Sequence, residues 1–255
     1  MSPPAPRLSF VFPMWNEEAM IVRTVGAARE AGERLVADGR AASFEIVLVD
    51  DASTDATGKI ADDLAVDDLR IEVVHHATNR TLGGAIRSGF AASTGDVVLY
   101  TDADLPCDLV EVDKALRLMR VYEADIVSAY RFDRTAEGVQ RAVYSFAYNH
   151  LVRWAFRVRV RDVNFAFKLI RRRVLDDLEL VSEGSFIDAE LVAKAHRRGF
   201  AIVQFGVDYI ARTRGVSTLS SPGVIVRMVR ELRELRPQIL ALDASPAVEL
   251  DDATA

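Results

Sequence analysis

The 255-residue chain has a single cysteine, Cys107. One thiol excludes an internal disulfide and a cysteine metal cluster, and it suits a reducing compartment. Long apolar runs are also missing, so no stretch is expected to span a bilayer and a membrane would be met only at its surface. Met1 to Pro6 is short and proline-rich, and the next apolar run is interrupted by Pro13, so nothing reads as a signal peptide. Excess positive charge is absent. With 32 Lys and Arg against 38 Asp and Glu the net charge is −6, which argues against a general nucleic-acid binder. There is no G-x-x-x-x-G-K-[ST] loop and no G-x-G-x-x-G after a strand. Leu82-Gly83-Gly84-Ala85 opens a helical pattern without that spacing, so P-loop and dinucleotide enzymes are disfavoured.

What the chain does contain is an alternation of two patterns. Leu8–Phe12 (ended by Pro13), Phe44–Val49, Ile71–Val74 and Val97–Tyr100 are short, apolar and bounded by turn signals, as buried strands are. Helical patterns follow them: one through Ile21 and Leu35, one to Leu64 after a Ser53-Thr54-Asp55 cap, and one over Thr81–Ala92. This order predicts an α/β fold with a mostly parallel sheet, whose ligand lies beyond the carboxyl ends of the strands. Pro13–Glu17, Asp50-Asp51 and Asp102-Ala103-Asp104 all follow strands and should line one crevice. Each loop alone is ordinary turn chemistry; acids gathered at successive strand ends are not. Asp102 and Asp104, two residues apart, can aim at one point if the chain stays extended. Two such carboxylates repel unless a cation lies between them, and hard oxygen donors favour Mg²⁺ or Mn²⁺.

The second half is more basic and aromatic. Ala124–Ala129 reads as a strand followed by Arg131. From Arg141 to Arg161 a helical pattern interleaves Tyr144, Phe146, Tyr148, Trp154 and Phe156 with Arg153, Arg157, Arg159 and Arg161. It is either an amphipathic helix with core aromatics or a surface for anionic lipid. Asp162–Lys168 is expected to be strand, Ser185–Glu190 to open a helix, and Ala201–Val207 to be the last strand. Val224–Leu235 reads as an amphipathic helix with Arg227–Glu231 and Arg230–Glu234 pairs. Residues 1–242 are expected to form one domain, and 243–255 a disordered acidic tail.

Taken in order, these motifs resemble the family 2 glycosyltransferases of the GT-A fold, especially dolichyl- and polyprenyl-phosphate mannosyl- and glucosyltransferases. Phe12-Pro13-Met14-Trp15-Asn16-Glu17-Glu18 is similar to the family's nucleotide loop, with Pro13, Trp15 and Glu17 at contacting positions. Val49-Asp50-Asp51-Ala52-Ser53-Thr54-Asp55 is similar to V-D-D-G-S-x-D, whose second Asp, here Asp51, contacts the base. Gly95-Asp96 and Asp102-Ala103-Asp104 match the strand and metal motif, and Asp125-Ile126-Val127-Ser128 with Arg131 matches D-I-V-x-G-x-R. Lys168 falls on the basic position of F-R-x-x-R, and Arg212-x-x-Gly215-x-Ser217 on a late loop that closes over the donor phosphates. Three positions depart: Pro106 stands at a metal-contacting Gln, Thr218 at the loop Lys, and Asn164-Phe165-Ala166-Phe167 at a Ser-Gly-Phe stretch. The base and the sugar therefore stay open.

The resemblance implies inverting transfer from a nucleoside-diphosphate sugar to a lipid phosphate. It implies Mg²⁺ or Mn²⁺ on Asp102 and Asp104, with Asp104, Asp188 and Arg212 as catalytic residues. Pro13, Trp15, Glu17, Val49, Asp51, Asp102, Ala103, Lys168 and Arg212 would bind the donor, and Arg131 and Arg141 the acceptor. A phosphate acceptor needs no base, and Asp188 would then bind sugar hydroxyls; a hydroxyl acceptor would need one, with Asp188 as the candidate. The expected location is cytoplasmic, peripheral on the inner face of the membrane. The alternatives are a hydroxyl acceptor and a non-catalytic nucleotide-sugar-binding protein.

Overall fold

The computed structural model of the protein describes residues 4–133, 139–210 and 222–243. Strands β1 (Arg7–Met14), β2 (Ser43–Asp50), β3 (Ile71–His75), β4 (Val97–Thr101), β5 (Ile126–Arg131), β6 (Phe167–Arg171) and β7 (Ile202–Val207) form one sheet, in the order β3-β2-β1-β4-β6-β5-β7. Every pairing is parallel except those of β6, which runs antiparallel to β4 and to β5. The mostly parallel α/β sheet expected from the sequence is thus present. Helices α1 (Ile21–Ala37), α2 (Thr57–Asp67), α3 (Thr81–Ala92), α4 (Glu111–Val121), α5 (Val139–Phe156), α6 (Arg172–Asp177), α7 (Ile187–Arg197) and α8 (Pro222–Leu240) cover it.

Alternate strand residues enter opposite layers, as the two-residue period of a strand requires. Phe10, Phe12, Ile46, Leu48 and Leu99 pack with residues of α1, α2 and α4. Val11, Val47, Val49, Val98 and Tyr100 pack with residues of α3, α6 and α7. A third apolar cluster joins α5, α7 and α8. Burial on both faces is why these strands read as continuous apolar runs.

Several boundaries differ from the sequence reading. β1 continues through Pro13 to Met14, because its pairing with β4 stops at Val11 and the missing N–H breaks no bond on that side. α2 begins at Thr57 behind Ala56, which makes no side-chain cap, rather than at a Ser53–Asp55 cap. Asp55 instead accepts the backbone N–H and hydroxyl of Thr57, while Ser53 and Thr54 turn to Asn16. The strand expected over Asp162–Lys168 is displaced to Phe167–Arg171. Side chains claim the earlier residues: Arg131 forks onto Asp162, and Val163 donates to Asn149 Oδ1. α5 stops at Phe156, and Arg157 takes a left-handed φ of 57°. α8 extends to Leu240; in it Arg230 lies 4.0 Å from Glu234, whereas Glu231 accepts the Ser182 hydroxyl at 2.8 Å. The expected tail beyond Asp243 lies outside the described residues.

Candidate active site at the carboxyl edge of the sheet

Register sets the site. Met14 lies opposite Asp50, and Asp50 opposite His75, so β1, β2 and β3 end level with one another. The loops after β1 and β2 are stitched together: Asn16 N donates to Ser53 Oγ (3.0 Å), Thr54 N to Asn16 Oδ1 (2.8 Å), and Ala56 N to Glu18 Oε2 (2.9 Å). Glu17, half-buried, donates its backbone N–H to Thr57 Oγ1 at 2.8 Å, and Trp15 stands 52% exposed beside it. The turns after β1, β2 and β4 each hold one non-glycine residue at positive φ, Asn16, Ala52 and Leu105, and Thr81 opens α3 in the same region, all at 53–57°. L-residues avoid that region, and such strain gathers at ligand sites.

Asp51 is 3% exposed. Its Oδ1 accepts His76 Nδ1 and the backbone N–H of Arg80, both at 2.7 Å. Asp50 accepts Ser53 N and His75; those hydrogen bonds hold its carboxyl below the usual range although burial, the largest single influence, opposes them. His75 sits between Asp62 and Asp50, and their hydrogen bonds raise its pKa.

Asp102 and Asp104 lie half-buried on the turn that follows β4. Between them Ala103 is 2% exposed and accepts the Thr24 hydroxyl through its carbonyl. Ala103 and Val49, expected to bind the donor, are instead 2% and 0% exposed, so neither offers a side chain to a ligand. Buried Tyr100 shows how these acids converge: burial first, then the charges of Asp188, Asp102 and Asp104, push its hydroxyl well above the ordinary tyrosine range. Tyr100 and Ser128 flank Lys168 across β4, β6 and β5. Lys168 is fully buried, and its Nζ donates to Asp188 Oδ1 (2.5 Å) and Phe165 O (2.9 Å). Burial lifts the Asp188 pKa more than Lys168 lowers it. Arg131, its side chain 8% exposed, forks onto Asp162 and lies over the Phe165 and Tyr209 rings.

The structure therefore gathers Pro13, Trp15, Glu17, Asp51, Asp102 and Asp104 at the carboxyl ends of the strands, and sets Lys168 and Asp188 beneath them as a buried pair. Arg141 lies on α5, with its side chain outside the description; Arg212 lies outside the described residues. The segment leading to Arg212 is nonetheless tied to the acidic turn, since Ile210 N donates to Pro106 O at 2.9 Å. The amino end of α3 is closed by protein. The Glu183 carbonyl accepts Gly83 N, Gly84 N and the Thr81 hydroxyl, and a Cβ on Gly83 would stand 2.3 Å from Ser182 O. Sequence reasoning passed over His76, Ser88, Asp162 and Glu183. The pairing of Asp50 with His75, visible only in the structure, places the next residue, His76, beside Asp51.

Among the described residues no group of three His, Cys, Asp or Glu is placed to hold a metal ion. The oxygen pair of Asp102 and Asp104 nevertheless fits Mg²⁺ or Mn²⁺, because Mg²⁺ is usually held by one or two carboxylates together with substrate phosphates.

A single antiparallel strand in an otherwise parallel sheet, with acids beyond the strand ends, agrees with a GT-A-type α/β fold. Residues 9–179 match the Glycosyl transferase family 2 model, and the chain belongs to that family. It is 34% identical over 207 residues to Glycosyltransferase AglD of Haloferax volcanii, covering 79% of this chain but only 33% of AglD, so it spans about a third of that protein. It is 28% identical to Polyprenol monophosphomannose synthase of Mycolicibacterium smegmatis, over 87% of this chain and 84% of the relative. Glucosyl-3-phosphoglycerate synthase from Mycobacterium tuberculosis, solved with Mn²⁺, UDP-glucose and phosphoglyceric acid, shares the fold with a TM-score of 0.67. That likeness covers 91% of this chain and 79% of the other, at 22% identity.

Proposed function

We propose that this chain transfers a sugar, with inversion, from a nucleoside-diphosphate sugar to a polyprenyl-phosphate-type lipid at the cytoplasmic membrane surface. The acceptor reading is carried by the Asp188–Lys168 pair. An alcohol acceptor needs a base, and the candidate base has its Oδ1 already taken by the Lys168 ammonium group. A lipid phosphate is already an anion and needs none. The name of the mycobacterial relative, which aligns over most of both chains, supports the same acceptor class.

In this reading Asp102 and Asp104 hold Mg²⁺ or Mn²⁺, which when bound supplies Lewis-acid stabilisation of the departing diphosphate. Trp15, Glu17 and Pro13 shape the nucleotide loop and Asp51 reads the base. Arg212, two residues beyond the Ile210–Pro106 bond, adds charge-assisted contacts to the diphosphate. Arg131, oriented by Asp162, and Arg141 receive the acceptor phosphate. Lys168 acts through Asp188, which it positions toward the sugar.

α5 supplies the membrane face. No described helix is long and apolar enough to cross a bilayer. Val143, Phe146 and Trp154 are 57%, 69% and 74% exposed, while Phe156 is in the core. Exposed Arg153, Arg157, Arg159 and Arg161 accompany them, and basic residues near an anionic surface contribute about 1 kcal/mol each. The test assays metal-dependent transfer from GDP-, UDP- and dTDP-sugars to polyprenyl phosphate and to soluble saccharides. Vesicle sedimentation at low and high salt accompanies it. Lipid-dependent transfer with salt-sensitive binding to anionic vesicles is expected. Transfer to soluble acceptors alone would overturn the reading.

A further inference from the structure

Asp51 is one member of a buried hydrogen-bonded chain that the donor-binding reading leaves unexplained. His76, its side chain 6% exposed, lies just past β3 and bridges two elements. Its Nδ1 is 2.7 Å from Asp51 Oδ1 and its Nε2 is 2.8 Å from Ser88 Oγ on α3. The backbone N–H of Arg80 reaches the same Asp51 oxygen at 2.7 Å, and the Arg80 guanidinium lies 3.4 Å from Ser88 Oγ. Both hydrogen bonds to the Asp51 carboxylate therefore fall on Oδ1, and among the described residues Oδ2 is left for a ligand.

We infer that His76 is a positioning residue for nucleobase selection: with Ser88 it locks Asp51 so that Oδ2 is presented as a fixed acceptor. The inference rests on Asp51 as the base reader in the proposed function. The chemistry follows from donor and acceptor counting. A carboxylate oxygen accepts, so His76 donates from Nδ1, and the Ser88 hydroxyl, which can donate or accept, takes up Nε2. Both ring nitrogens are held, which fixes the ring and, through it, the carboxylate. A fixed acceptor takes bases whose ring nitrogen carries hydrogen, namely uracil, thymine or guanine. Cytosine and adenine present a bare ring nitrogen there and leave the carboxylate facing a lone pair. A site built to bond a donor rejects a ligand that lacks one far better than an apolar pocket does.

The experiment measures donor dissociation by calorimetry, together with kcat and KM, for UDP-, GDP- and CDP-sugars. Wild type is compared with His76→Leu, His76→Asn, Ser88→Ala and Asp51→Asn, each checked for folding by circular dichroism. His76→Leu should weaken the preferred donor on the order of tenfold to hundredfold, the worth of a hydrogen bond to a charged group, and raise KM more than it lowers kcat. It should also narrow the preference over the CDP-sugar. His76→Asn places an amide N–H near the Nδ1 position and should restore most of the affinity and the preference. Ser88→Ala should show a smaller loss of the same kind. If Asp51→Asn destroys base preference while His76→Leu leaves it intact, the positioning inference fails and the base-reading role survives. If Asp51→Asn itself leaves base preference unchanged, the base-reading role fails. Equal damage in His76→Asn and His76→Leu, with base preference unchanged in both, would mean that His76 only fills space, and would also overturn the inference.

Discussion

Replacing Lys168 with methionine tests a fully buried charge. Met keeps the apolar stem and deletes the ammonium, which now donates to Asp188 Oδ1 at 2.5 Å and to Phe165 O at 2.9 Å. The partners are 0% and 3% exposed, so no water replaces the lost donor. Removing one member of such a pair leaves an uncompensated buried charge and costs about 3–5 kcal/mol, a large part of the roughly 5–15 kcal/mol that holds a domain together. Urea denaturation at pH 7 should show a lower midpoint with an unchanged slope. The pH dependence follows from Asp188. Burial already holds its folded pKa above the ordinary value, so folding favours the protonated carboxyl. That contribution is full below the unfolded pKa and is lost as pH rises through the folded pKa. Deleting Lys168 raises the folded pKa further. The mutant's deficit should therefore be largest at neutral pH and narrow toward the ordinary Asp value of about 4. Adding Asp188→Leu should recover much of the loss, because apolar replacement of a buried pair is often neutral. A single-mutant loss below about 1 kcal/mol at pH 7, or a double mutant no better than the single, would refute the argument.

Four further outcomes are expected. Asp104→Ala should stay folded by circular dichroism yet lose on the order of 10²-fold or more in transfer rate, and wild-type activity should fall in EDTA; undiminished turnover in either case removes the metal assignment. Ala52→Gly should be neutral or stabilising by up to about 1 kcal/mol in thermal melts, because Ala52 sits at φ 57°, where a Cβ is penalised; a clear loss of stability would contradict this. Gly83→Ala should cost about 1–3 kcal/mol, since its Cβ would meet backbone at 2.3 Å, whereas Gly26→Ala in α1, with nothing within 4 Å, should gain about 0.5–1 kcal/mol; equal effects in denaturant would refute the packing account. His75, its pKa raised by Asp62 and Asp50, contributes stability below its ordinary pKa that fades as pH rises through the higher folded value, so His75→Asn should lower the melting temperature more at pH 6 than at pH 8.5.

The first half of the fold was legible because its physics is local. Parallel strands covered on both faces become unbroken apolar runs, and Phe44–Val49 and Val97–Tyr100 could be placed without knowing what lay beside them. Thr81–Ala92 coincides with α3 residue for residue. Errors fall where a distant side chain decides. Nothing near Asp162 announces that Arg131, 31 residues earlier, will claim its carboxylate and keep it out of the ladder. β6 hides for the same reason: Phe-Lys-Leu-Ile-Arg does not read as a core strand until Asp188, 20 residues on, neutralises the buried lysine.

The site was legible as a place and less so as a set of roles, and α7 shows why. Asp188 and Glu190 read as two first-turn acids favoured by a helix dipole, yet they have unrelated partners. Asp188 meets Lys168 beneath the edge of β4. Glu190, 0% exposed, accepts Val181 N at 2.9 Å and Ser182 N at 2.8 Å, and pairs with Lys194 at 2.6 Å. The loop it grips is the one whose Glu183 carbonyl closes the amino end of α3, where Gly83 and Gly84 leave room for it. Just before that helix, Arg80 gives its backbone N–H to Asp51 and its guanidinium to Glu183. A continuous path of hydrogen bonds thus runs from α7 through a loop to the acid assigned to the base. The absent phosphate-loop spacing was therefore informative for a reason the spacing alone does not state. The amino end of α3 is occupied by this path, in keeping with the proposal that the donor phosphates lie at the turn after β4.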